Sequence, residues 1–211
     1  YYELLVEWNS FMNLTAITEF DQVITKHFLD SLSLVKVCDV AQAGRILDVG
    51  TGAGFPGIPL KIAFPEVEVV LLDSLNKRVK FLNEVIGQLG LSKITAIHGR
   101  AEDFARQKEY REQFDLVVSR AVANLSSLSE YCLPYVKVGG RFVSYKSGKL
   151  SEELTAAGKA IHVLGGEAKE PVYFQLTGTE DERSFVCIEK GKATPKKYPR
   201  KAGTPVKEPI Q

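Results

Sequence analysis

Asp48-Val49-Gly50-Thr51-Gly52-Ala53-Gly54-Phe55-Pro56-Gly57 overlaps the end of the strand-like run Arg45–Val49 and leads into a helical pattern. Three alternating glycines permit positive φ and let a ligand touch backbone where a Cβ would intrude. Pro56 suits the first turn of a helix, where its missing N–H loses no partner. Outward from this loop the texture repeats. Val67–Leu72, Ile94–His98, Asp115–Ser119 and Arg141–Tyr145 read as further buried parallel strands. Helical patterns lie between them at Lys77–Leu89, Leu125–Val136 and Glu152–Leu164, and Gly90 stops the first. Val172–Leu176 and Ser184–Glu189, parted by the polar run Thr177–Arg183, read as an antiparallel hairpin. The expectation is an α/β chain with a Rossmann-like, doubly wound, mostly parallel seven-stranded sheet and an antiparallel C-terminal hairpin. Ligands of such sheets bind outside the carboxyl ends of the strands.

Before Gly44 the pattern is helical. Leu4, Leu5, Trp8, Phe11 and Met12 recur at three-to-four spacing, and Val23, Phe28, Leu29, Leu32 and Val35 form a second stripe. Residues 1–43 are therefore expected as a helical extension, 44–191 as the ligand-binding domain and 192–211 as a basic, proline-rich tail. A chain of 211 residues fits one domain or at most two. Its 45% hydrophobic and 25% charged content excludes a disordered or collagen-like polymer. No run approaches the ~18 apolar residues of a membrane span, and no charged n-region precedes an apolar h-region. The chain opens at Tyr1 without a methionine, which suggests that residues precede it. Cys38, Cys132 and Cys187 are an odd, widely spaced set that reads as buried thiols of a reducing compartment. His27, His98 and His162 are too dispersed for a triad, and no metal site is expected.

The net charge of +1 conceals an uneven distribution. Residues 192–211 hold six basic residues and one acid, a net +5 that leaves −4 on the remainder. Four of the nine prolines fall there too, which argues against a helix or a central strand. The segment is either a solvated end or an extended arm lying along a phosphate backbone.

Gly52, Gly54 and Gly57 satisfy the G-x-G-x-x-G pattern, so an NAD(P)-dependent oxidoreductase is one candidate. Asp48 weighs against it: a dinucleotide presents a pyrophosphate to the helix N-terminus, which a carboxylate at the mouth of the loop would repel. S-adenosyl-L-methionine carries no phosphate, and its ammonium and sulfonium would be attracted. Asp73, followed by Ser74, closes the second strand 21 positions after Gly52, close to the ~20-residue spacing of an acid that accepts ribose hydroxyls. Capping of the next helix is its plain alternative. After the third strand, Ala101 and Glu102 could offer a backbone N–H and a side chain to an adenine edge, or could simply be first-turn helix residues. After the fourth, Arg120 could contact a phosphate or the O6 edge of guanine, or form an ordinary ion pair. There is no Asn/Asp-Pro-Pro-aromatic segment for an exocyclic amine and no Pro-Cys pair for pyrimidine C5. Cys132 reads as core. An acceptor ring nitrogen with a free lone pair would need no general base, and positioning alone can supply ~7–11 kcal/mol of a barrier.

At Asp48–Gly57, Leu71–Arg78, Arg100–Glu102 and Ser119–Ala123 the chain resembles the small-subunit (16S) rRNA guanine-N7 methyltransferase family, also called glucose-inhibited division protein B. Trp8-Asn9, Asn13-Leu14-Thr15 and Lys26–Ser31 resemble that family's N-terminal region, and the Pro195–Lys201 stretch resembles the tail of a subset of its members. The resemblance implies a class I S-adenosyl-L-methionine-dependent methyltransferase fold and a cytoplasmic enzyme. It implies methylation of N7 of one 16S rRNA guanine, with the rRNA, the small subunit or an assembly intermediate as partner. A monomer without a membrane association is expected. The family's cofactor residues fall on Gly50, Phe55, Ala101, Glu102 and Arg120, alongside Asp48, Gly52, Gly54, Asp73 and Ser74 from the reading above. Arg120 is the expected catalytic residue. Lys146, Lys149, Lys196, Lys197, Arg200 and Lys201 are expected RNA contacts. A methyltransferase with another acceptor, or a binding module without turnover, are the remaining alternatives.

Overall fold

The structure is a computed structural model that describes every residue except Lys149. Its N-terminal part runs through α1 (Tyr2–Met12), α2 (Phe20–Val23), a π-helical turn (Ile24–Leu29) and α3 (Asp30–Leu32). The winding then begins: β1 (Arg45–Val49), α4 (Gly57–Ala63), β2 (Glu68–Asp73), α5 (Asn76–Gln88), β3 (Ile94–His98) and α6 (Ala101–Phe104). It continues with β4 (Phe114–Arg120), α7 (Leu125–Cys132), β5 (Val136–Lys146) and α8 (Ser151–Val163). Last come β6 (Gly166–Ala168), β7 (Val172–Gln175), β8 (Glu182–Lys190) and α9 (Thr204–Lys207).

The strand order is β3-β2-β1-β4-β5-β8-β6, with β7 also on β8. β1 to β5 are mutually parallel, and β8 runs antiparallel to β5. The winding reverses between β1 and β4, so the carboxyl ends of those two strands open onto the same crevice. The expected seven strands are eight. The outermost strand is split around Pro171: β6 pairs with Ile188–Lys190 and β7 with Glu182–Phe185. A proline has no N–H for the ladder, so the edge strand breaks there. Pro134 similarly ends the expected 125–136 helix at Cys132, with a 3₁₀ turn following.

Successive residues of a strand face opposite sides, and each face carries its own core. Ile46, Leu71, Val118 and Val143 meet α1, α4 and α5 through Leu5, Ile58 and Phe81. Leu47, Leu72, Val117 and Phe142 meet α7 and α8 through Leu128 and Ile161. Leu4, Leu5, Met12 and Val23 lie in the first core, so residues 1–43 are built into the sheet's packing. The tail is also folded. Thr194, Pro199 and Pro205 are buried, and Pro205 sits in the first turn of α9, where a helix requires no N–H. Proline content therefore failed to exclude a helical turn at that one position. Among the described residues no helix is long and apolar enough to cross a membrane.

Candidate functional site at the carboxyl edge of the sheet

The glycine loop is pinned from β2. Gly50 and Thr51 both donate their N–H to the Leu72 carbonyl, at 2.8 and 3.1 Å. Gly52 N–H donates to Asp73 Oδ2 and Leu75 N–H to Asp73 Oδ1, each at 2.9 Å, and Arg78 approaches Oδ2 at 3.4 Å. Asp73 therefore caps the local turn as well as closing the strand. A carboxylate has about four lone-pair sites, so capacity for further donors remains. Gly52 has φ +60° and nothing within 4 Å of the place a Cβ would take, while a Cβ on Gly57 would run into Leu71. Gly52 faces open space; Gly57 permits close packing beneath the loop.

Asp48 corrects the reading that placed its charge at the mouth of the loop. It is 0% exposed and lies below the loop, its Oδ2 accepting from the Thr51 hydroxyl (2.7 Å) and the Gly57 N–H (2.8 Å). Burial raises its pKa to about 6, against the opposing effect of these hydrogen bonds and of Arg120. Oδ1 is one of two buried side-chain polar atoms without a partner among the described residues. Asp48 shapes the loop from underneath. Phe55 is likewise turned inward. It is stacked on His27 (4.5 Å between ring centroids) and flanked by Tyr1 and Phe28.

Two hollows flank the loop from Arg120 to Ala123. The first, a crevice of about 180 Å³, is lined by Gly50, Ser74, Ala101, Glu102, Val122 and Val206. It collects Gly50, Ser74, Ala101 and Glu102 from the expected cofactor set, whereas Asp48, Gly54 and Phe55 face elsewhere. The second, a cleft of about 520 Å³, is lined by Lys26, His27, Asp30, Arg120, Tyr145 and Arg183 among others. Here Arg120 is no free cation. Its Nη1 donates to Asp30 Oδ2 at 2.7 Å, its Nη2 lies 3.3 Å from His27 Nδ1, and its guanidinium rests 5.2 Å over the Phe55 ring. Asp30, itself buried, also accepts from Arg183 Nε at 3.0 Å. Burial first and Arg120 second lower the His27 pKa to about 4, so this imidazole is neutral near pH 7 and its Nδ1 faces Arg120.

Sequence reasoning had missed the roles of His27, Asp30 and Arg183. The Lys26–Ser31 motif was visible, but nothing local tells that Asp30 reaches Arg120 and Arg183, 90 and 153 positions away. The expected RNA contacts separate. Arg200 is engaged by Glu130, donating through Nε (3.0 Å) and Nη2 (2.7 Å), and Lys146 is engaged by Glu153 at 2.6 Å. Both carry structural ion pairs in place of the free charge the sequence suggested. Lys196, Lys197 and Lys201 are exposed, and Lys149 lies outside the described residues. Among the described residues no group of three or more side chains could hold a metal ion.

A family model described as rRNA small subunit methyltransferase G matches residues 1–184. A protein of Lachnoclostridium phytofermentans named ribosomal RNA small subunit methyltransferase G is 61% identical over 210 residues, spanning 100% of this chain and 87% of the relative. One of the same name from Desulforamulus reducens is 56% identical, spanning 100% and 88%. Among solved structures, a putative O-methyltransferase from Klebsiella pneumoniae aligns with a TM-score of 0.60 at 17% identity over 90% of each chain.

Proposed function

From the premise that the chain belongs to the rRNA small subunit methyltransferase G family and has the class I methyltransferase fold, we propose that it methylates N7 of a guanine in 16S rRNA. The methyl donor in this reading is S-adenosyl-L-methionine, and the enzyme works in the cytoplasm. The observation that carries it is the pairing of two hollows across the Arg120–Ala123 loop: a narrow glycine-walled crevice on one side and a cleft with Lys26, Arg120 and Arg183 on the other.

The crevice suits the donor on the evidence of its own residues. Gly50, Ser74, Ala101 and Glu102 line it, with Ala101 and Glu102 beginning α6 at its wall. Gly52 and Asp73 lie outside that lining, and Asp73, 2% exposed, fixes the adjoining loop through Gly52 and Leu75. Bound there, S-adenosyl-L-methionine would supply a methyl group on a cationic sulfur. The chain's own residues bind and orient. Arg120, held by Asp30 and lying over the Phe55 ring, presents a fixed guanidinium to the cleft, and its donors match a phosphate or the O6 of guanine, which leaves the N7 lone pair free. Lys26 and Arg183 also line the cleft, both paired with Asp181 at 3.2 and 3.3 Å, so an RNA phosphate would compete with that carboxylate for them. Guanine N7 has a free lone pair, so no proton must leave. The one imidazole in the cleft, His27, is already faced by Arg120 at Nδ1 and Thr15 at Nε2, which agrees with a base-free transfer. Catalysis then rests on alignment and the exclusion of water, worth on the order of 7–11 kcal/mol.

Labelled S-adenosyl-L-methionine and small subunits from a strain lacking this activity test the reading. Label should appear in 16S rRNA, and borohydride–aniline scission should cut at one alkylated guanine. Calorimetric binding of NAD or NADP, with none of S-adenosylhomocysteine, would instead favour an oxidoreductase.

A further inference from the structure

One wall of the crevice comes from the far end of the chain. Val206, on α9, lines it together with Gly50, Ala101, Glu102 and Tyr131. Val206 is 54% exposed and belongs to neither core. The protein holds it at this mouth nonetheless. Gly203 donates its N–H to Glu102 Oε1 at 2.9 Å, and the Pro205 carbonyl accepts from the Ser127 hydroxyl at 2.7 Å. Arg200 grips Glu130, itself 0% exposed, and also donates to the Glu208 carbonyl at 2.8 Å. Upstream, Arg111 donates to the carbonyls of Thr194 and Tyr198, and Arg106 to that of Pro199. Each of these bonds fixes backbone or a buried acid, so the segment keeps its course whatever its surface side chains do. Across the hollow, Val122 leans over the loop: a Cβ on Gly50 would come within 2.5 Å of it. Val122 and Val206 thus both line a narrow slot that also holds Val49 and Leu72 as apolar wall and Ser74 and Glu102 as polar groups, a lining that suits a flat ring with apolar faces and a polar edge.

We infer that the segment Thr194–Glu208 is a wall of the cofactor crevice, with Val206 the side chain that closes against the adenine ring. The inference rests on the assignment of that crevice to an adenosyl ligand. It gives the tail a role in cofactor affinity that is separate from any contact of its lysines with RNA. The bond from Gly203 to Glu102 adds a coupling, because the carboxylate at the crevice wall is oriented by the same segment.

Calorimetry with S-adenosylhomocysteine on the full chain tests it, comparing the parent protein with Val206→Asp and Val206→Ile. The exposure of Val206 makes both variants tolerable to the fold, so the melting temperature without ligand should not change. Val206→Asp should bind about tenfold more weakly, from the loss of one apolar contact and the desolvation of a carboxylate, while Val206→Ile keeps the parent affinity and both keep the parent affinity for 16S rRNA. Equal affinity of Val206→Asp and the parent protein for S-adenosylhomocysteine would overturn the inference and leave the adenosyl assignment standing. Failure of the parent protein itself to bind would remove the assignment, and the inference with it.

Discussion

Both ends of the chain fold back onto the carboxyl edge of the sheet, but they are fastened differently. The N-terminal segment is held by side chains: Asp30 between Arg120 and Arg183, His27 stacked on Phe55, and Phe28 tilted against the same ring. The C-terminal segment is held mostly by its carbonyls, taken up by Arg106, Arg111 and Ser127, together with the ion pair of partly exposed Arg200 and buried Glu130. A backbone-held strap keeps its course while its surface side chains vary. A side-chain cluster leaves charges at the surface of a cleft, where an incoming phosphate or base can redraw the pairing. The first device suits a rigid wall; the second suits a substrate-facing surface.

Breaking the N-terminal cluster should have the larger consequence. Arg120→Ala should slow single-turnover methyl transfer by about 100-fold, the scale of losing one alignment element. Asp30 keeps Arg183 as partner, so urea unfolding should show only a modest loss of stability; a variant that transfers methyl at the parent rate would remove Arg120 from the site. Breaking the C-terminal fastening should act on stability instead. Glu130→Ala removes a buried acceptor of four Arg200 bonds, one of them from the backbone N–H, and because Arg200 is partly exposed the cost is about 2 kcal/mol, less than for a fully buried pair. Trypsin should then cut at Lys196 or Lys197 faster than in the parent protein.

The loop between the two regions offers a pH test. The folded pKa of Asp48, about 6, lies above the ordinary carboxylate value, so the folded state binds the proton more tightly than the unfolded one. Stability should therefore fall as pH rises from about 4 to 6, by on the order of 2 kcal/mol. Asp48→Asn should flatten that slope in thermal melts between pH 4 and 7, and an unchanged slope would mean that another group carries it. The smallest effect is expected from Lys196→Ala with Lys197→Ala. Stability should stay within about 0.5 kcal/mol, while the salt dependence of rRNA binding should lose at most about one unit of slope per abolished phosphate contact. An unchanged slope makes these lysines merely solvated.

The strands β1 and β3 were legible to the residue because short aliphatic and β-branched clusters, Ile46-Leu47…Val49 and Ile94-Thr95-Ala96-Ile97, stand between turn signals. The glycine loop and Asp73 were legible for a related reason: their meaning depends on neighbours a few positions away. Asp48 was misjudged because its depth depends on Leu71 packing over Gly57, a contact between two strands' surroundings. Phe55 stood in a recognisable motif, yet only the N-terminal helices decide that its ring is stacked inward.

Sequence alone determined the alternation of strands and helices and the glycine loop after the first strand, and its motifs carried the resemblance to the family. The alternation and the loop are properties of period and local turn, written into residues two to four positions apart. Tertiary structure decided which charges remain free. Arg120, Lys146 and Arg200 each find a carboxylate, Asp30, Glu153 and Glu130, and two of those three pairs join residues 70 or more positions apart. A formal charge is local, but its solvation and its partner are set by the whole fold, since Coulomb energy depends on distance and surroundings and not on separation along the chain.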